Sequence, residues 1–156
     1  VFGGLWAYIG VLALPPAWHL PATVAVVIAT LLLIVLLWTT GGSAREGERL
    51  FTKRPYQFAV VAEVISIYLA SLLLSRIGLQ AYFIQVVGII VGLHFIGLWA
   101  ATRSPRFIYI AVGMCIVSTL AIFFPAVAGA VHPRDLLTGA GNGLVLWMCA
   151  ARRSAV

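Results

Sequence analysis

Residues 56–101 read YQFAVVAEVISIYLASLLLSRIGLQAYFIQVVGIIVGLHFIGLWAA, and this stretch decides the fold. Its charged side chains are Glu63 and Arg76 alone, and His94 is its one imidazole. A helix needs about 20 apolar residues to cross the hydrocarbon of a bilayer. Two such lengths stand here, 56–74 and 79–101, parted by Ser75-Arg76-Ile77-Gly78, which reads as a tight turn. Lipid offers backbone groups no hydrogen bonds, so a chain crossing it must become helices or a closed barrel. Barrel strands alternate apolar and polar residues over about ten positions. These runs are continuously apolar and longer, so they are helices.

The pattern continues on both sides. Apolar segments at 1–14, 22–38, 107–124 and 134–151 complete a set of six. The sequence therefore predicts an all-α protein, a polytopic membrane bundle of six transmembrane helices arranged as three antiparallel hairpins in a single domain, 1–156. The first segment is short for a span, as if part of it preceded Val1. Pro15-Pro16, Trp18, His19 and Pro21 read as a turn before the second helix. Pro133 suits the first turn of the sixth.

Composition agrees. Hydrophobic residues make up 63% of the chain and charged residues 9%, with a mean hydropathy of +1.10. A soluble surface commonly draws on about a quarter charged residues. The net charge of +6 could suggest nucleic acid, but that partner needs a solvated basic face. Here the cations punctuate span ends, so the expected partner is the lipid bilayer and no nucleic acid. Of the 10 Lys and Arg residues, only Arg76 and Arg134 fall on one side. The others lie in the 39–55 loop (Arg45, Arg49, Lys53, Arg54), after the fourth span (Arg103, Arg106) and at the C-terminus (Arg152, Arg153). The positive-inside rule then makes the 39–55 loop and the C-terminus cytoplasmic, in a bacterial inner (plasma) membrane. Trp38, Trp99 and Trp147 stand near the same side, as interfacial anchors do. Leu37-Trp38, Leu98-Trp99 and Leu146-Trp147 each precede an arginine, an echo of a repeated hairpin that aromatic belts would also produce.

Polarity inside a span is expensive, so ionisable groups there are the first functional candidates. Glu63 and His94 each lie seven residues, roughly 10 Å, from the cytoplasmic end of their span. Folding the two spans about Ile77-Gly78 brings them level, as a direct or water-bridged pair. Burial disfavours charge on either group and mutual attraction restores it, which suits a shared proton. Ser66 lies on the Glu63 stripe with Ala59 and Ala70, opposite an apolar face of Val61, Val64, Ile65, Tyr68 and Leu72. Asn142, about 13 Å from its cytoplasmic end, either joins that polar level or bonds a neighbouring helix. The pairs Gly88/Gly92 and Gly139/Gly143 read as helix-packing faces, meeting another helix or a second protomer.

No motif for zinc proteolysis or phosphate cradling occurs, and the glycines at 139, 141 and 143 lack dinucleotide-fingerprint spacing. Cys115 and Cys149 read as small buried hydrophobes, and Cys115, Ser118 and Thr119 as back-bonding residues. His19 and His132 flank spans too shallowly to share a metal with His94. No catalytic residue, metal site or cofactor is expected, and haem is disfavoured because His94 lacks a second axial ligand. Three functions fit: a small transporter or channel-like protein with a proton- or cation-responsive Glu63/His94 site near the cytoplasmic side, forming a homo-oligomer; a non-catalytic subunit or assembly factor of a larger membrane complex; or a membrane enzyme acting on a lipid, quinone or pigment.

Overall fold

The computed structural model describes residues 2–39 and 54–151, and the described residues form six α-helices with no strand. They are α1 (Phe2–Leu12), α2 (Pro16–Thr39), α3 (Arg54–Arg76), α4 (Phe83–Thr102), α5 (Arg106–Ala121) and α6 (Pro133–Ala151), with a short 3₁₀ turn at Gln80–Tyr82 before α4. The charged 40–53 segment and the C-terminal arginines lie outside the described residues.

Three helices are long and apolar enough to cross a membrane: Pro16–Leu36, Tyr56–Arg76 and Gln80–Thr102. Twenty-one residues rise about 31 Å, a bilayer's hydrocarbon thickness. The other three fall short for identifiable reasons. α1 has 11 described residues and α5 has 16, about 16 and 24 Å of helix. α6 has 19 residues but carries Arg134, Asp135 and Asn142 among them.

Several boundaries differ from the sequence expectation: α3 runs on through Arg76, α4 starts at Phe83 rather than 79, α5 ends at Ala121 rather than 124, and α2 starts six residues early. The turn before α2 is confined to residues 13–15, and the helix starts at Pro16 and runs through Pro21. Pro16 is pre-organised for the first helical position. Pro21 lacks the N–H that would bond Ala17, yet both residues are exposed near the helix start, where one lost bond is tolerable. His19 Nε2 lies 2.8 Å from the Leu14 carbonyl and ties the turn to the helix.

The chain divides into two compact units, Val1–Gly42 with Val117–Val156, and Ser43–Ile116. In the first, α1 packs along α6 more closely than along α2. The two run antiparallel, with Gly10 against Gly139 and Ala140, Ala7 against Gly143, and Gly3 under Trp147. A Cβ at Gly139 would fall 2.6 Å from Gly10 Cα and 2.8 Å from the Trp6 carbonyl. Small residues thus let the two backbones touch. His132 N–H donates to the Ala13 carbonyl at 2.9 Å, closing one end of this pair.

In the second unit, α3 and α4 form the expected hairpin. Gly78 adopts a left-handed φ of 72°, and Leu79 N–H reaches back to the Leu74 carbonyl at 2.9 Å, a Schellman ending. α4 is packed on two sides. Gly97 admits Ala59 of α3, while Gly92 admits Ala111 and Cys115 of α5.

Polar side chains share the core with Met114, Ala111 and Ala121, while broad apolar faces are exposed. Gln85, Ser118, Thr138 and Asn142 are fully buried, whereas Val61, Val64, Ile65, Tyr68 and Leu72 stand exposed along α3. Soluble proteins bury aliphatic side chains first and rarely expose such broad apolar faces.

Candidate functional site

The α3–α4 hairpin sets Glu63 and His94 at one level, and their side chains meet. His94 Nδ1 lies 3.2 Å from Glu63 Oε2, with His94 only 9% exposed and Glu63 21%. The approach is off-line for an N–H···O hydrogen bond, so the contact is a close ion-pair geometry rather than a linear bond. Gly97 makes this possible: without a side chain it lets α4 close against Ala59, one turn from Glu63.

Aromatic rings fix the imidazole. Tyr56 and Phe95 each meet the His94 ring edge-on, at centroid distances of 6.3 Å and 5.9 Å. Phe95 in turn stacks on Phe107 at 6.2 Å, which braces the ring from α5. Such aromatic pairs favour edge and offset geometries. Among the described residues no aromatic ring is paired with the carboxylate in this way.

Beside the pair runs a cavity of about 370 Å³, walled by α3 and α4. Glu63, Ser66 and His94 are its polar lining, and Ala62, Ile90, Leu93 and Ile96 supply most of the rest. A carboxylate and an imidazole in contact can hold one proton as imidazolium and carboxylate, or as two neutral groups. A ligand that prefers one arrangement would therefore move the proton.

Other sequence candidates fall elsewhere. Ser66 joins Glu63 on the cavity wall. Asn142 belongs to the other unit, where it donates to Ser118 Oγ at 3.0 Å and both are fully buried. The helix-bonding reading of Asn142 is the one realised. Ser118 is thus a partner across helices rather than a back-bonding residue. Its apolar surroundings in the sequence carried no signal of this. Gly88 and Gly92 are buried on α4, and Gly92 serves the contact with α5. Gly139 and Gly143 serve α1, so these contacts are internal to the chain. Trp147, read as an interfacial anchor, instead lays its indole against Gly3, with Nε1 buried and no hydrogen-bond partner among the described residues. Trp99 carries Arg103 over its ring at 5.3 Å, as an anchor at a helix end does. The role of Tyr56 beside His94 was not foreseen, although seven residues from Glu63 put the two on one face of α3.

No known protein family, curated protein or solved structure matches the chain.

Proposed function

We propose that the chain is a six-span membrane protein, small and transporter- or channel-like, in which Glu63 and His94 form a proton- or cation-responsive site near the cytoplasmic side. The single observation that carries this reading is the 3.2 Å contact between the two side chains at the edge of a 370 Å³ cavity. Membrane residence is supported by three apolar helices of spanning length and by fully buried Asn142 and Gln85 beside an exposed aliphatic α3 face. In this reading α1, α5 and α6 also cross, with the 39–55 loop and the C-terminus in the cytoplasm of a bacterium. A bundle this thin works as a homodimer or larger assembly.

A charge carried into a spanning helix is costly, and the 3.2 Å contact lets each group offset that cost for the other. A ligand that pairs with one of them shifts the arrangement by as much as its differential affinity allows.

The test is proton flux. Protein in liposomes carrying a lumenal pH dye is energised with a potassium diffusion potential. Wild-type vesicles change pH, and Glu63→Gln vesicles do not, although the variant elutes as a folded, monodisperse species. Equal flux in the two would overturn the reading.

A second reading, a docking subunit of a larger membrane complex, has one observation in its favour. The hydrophobic window of α2 has no buried residue, and Val24, Ile28, Leu31 and Val35 stand exposed. Their spacing of three or four residues gives one continuous helix face. In that case flux is absent from the wild type, and Ile28→Trp with Val35→Trp strips a co-purifying partner.

A further inference from the structure

We propose that the groove beside Glu63 binds a lipophilic organic monocation, an amphiphile with an apolar body and one compact positive centre, in exchange for the proton held at His94. The inference rests on the proposed proton- or cation-responsive site and names the class of its ligand.

The groove's size and lining select that class. Its volume of about 370 Å³ lies at the small end of pockets that hold organic ligands, about 300–1,000 Å³. Its walls are mostly apolar, with Ile90, Leu93 and Ile96 on α4 facing Ala62 on α3. An apolar ligand body matches them. Glu63 is the one acidic side chain in the lining, which matches one positive charge. A hard inorganic cation instead needs about six oxygen ligands. The lining's side-chain oxygens come from Glu63 and Ser66 alone.

Entry follows from exposure. Leu93 is 52% exposed and Ile96 42% exposed. The groove's mouth is therefore an apolar rim, accessible to a molecule already dissolved in hydrocarbon. Of the two titratable groups, Glu63 is the more open and His94 the more enclosed. The imidazole is held between Tyr56 and Phe95, whereas the carboxylate sits on a side chain with three rotatable bonds. Glu63 can therefore turn from imidazole to ligand while His94 stays in place.

The exchange balances. Before binding, imidazolium and carboxylate together are neutral. The incoming cation becomes the carboxylate's partner and the imidazole releases its proton to water. Neutral imidazole, carboxylate and ligand cation again sum to zero. No net charge is left stranded in the low-dielectric groove at either stage.

The experiment uses the full chain in nanodiscs of zwitterionic phosphatidylcholine, with radiolabelled tetraphenylphosphonium as probe and tetraphenylborate as its counterpart of matching shape and opposite charge. Expected are saturable phosphonium binding at one per chain, no competition from the borate, and binding weakened at least tenfold by Glu63→Gln. Ala62→Trp, which fills the groove and keeps the carboxylate, weakens it comparably. In weak buffer near neutral pH, binding releases protons from the wild type, and His94→Phe abolishes the release. Binding that is indifferent to both the Glu63 and Ala62 changes overturns the proposal, as does equal binding of the borate or displacement by Mn²⁺ alone. Glu63-dependent proton flux without phosphonium binding overturns this inference and leaves the proposed function standing. Glu63-dependent phosphonium binding without flux keeps this inference and the cation-responsive site, and overturns only the transporter part of the proposed function.

Discussion

His94 Nδ1 and Glu63 Oε2 lie 3.2 Å apart on two helices joined by residues 77–82, a turn at Ile77-Gly78 followed by one turn of 3₁₀ helix. Each group offsets the burial of the other, so their removal should not be additive. Glu63→Leu or His94→Phe alone leaves a polar group without its partner, and the double variant does not. A double-mutant cycle on thermal or denaturant unfolding in detergent should show a coupling of about 2 kcal/mol. A coupling near zero would mean the contact has no energetic content.

The α1–α6 seam gives the sharpest stability prediction. A methyl at Gly139 would enter the backbone of Gly10 and the Trp6 carbonyl, neither of which can swing aside. Gly139→Ala should cost about 3 kcal/mol, the upper end for overpacking, or prevent assembly. Gly78→Ala is the control: its φ of 72° is strained for alanine, but nothing lies within 4 Å. That change should cost only about 1 kcal/mol. Midpoints that move equally in the two variants would refute the tight seam.

Asn142 and Ser118 form a buried pair with one bond between them, and Asn142 Oδ1 has no partner among the described residues. Ser118→Ala removes the acceptor and leaves Nδ2 unsatisfied, at a cost of about 1 kcal/mol. Adding Asn142→Leu to that background should recover part of the loss by removing the stranded amide. A further loss in the double variant would show that Asn142 has a role beyond this bond.

Orientation is directly measurable. In a background of Cys115→Ala and Cys149→Ala, single cysteines at Ser43, Ser104 and Ser154 should share accessibility to an impermeant maleimide in inverted vesicles. A cysteine at Gly78 should label only from the opposite side. Labelling of Ser104 and Gly78 from the same face would exclude the six-span arrangement.

Helix content was legible in the sequence because lipid-compatible runs need no long-range information. All six apolar segments are helical in their described parts, and the turn between the third and fourth announced itself through Gly78, which takes a positive φ, although it is confined to Ile77-Gly78 because α3 continues through Arg76. Equal depth on a tight hairpin also sufficed to pair Glu63 with His94. Three features were not legible. The start of α2 was misplaced because a helix tolerates Pro21 near its first turn, so proline marked less of a break than it does in a helix interior. The seam between α1 and α6 joins segments far apart in the sequence. Small residues at 139 and 143 signal close packing but do not name the partner. Ser118 looked self-satisfied, because a serine in an apolar helix shows no preference between its own backbone and a neighbouring amide.

The contact of Gly10 with Gly139 has a consequence for biosynthesis. Gly10 is translated well before Gly139, with α2 to α5 between them, so α1 waits through the synthesis of four helices before its counterpart exists. Until α6 emerges, the notched face of α1 lacks the partner it has in the folded chain. A chain stalled or cut before residue 133 should consequently be recognised as incomplete and degraded, even though its α3–α4 hairpin is already able to form.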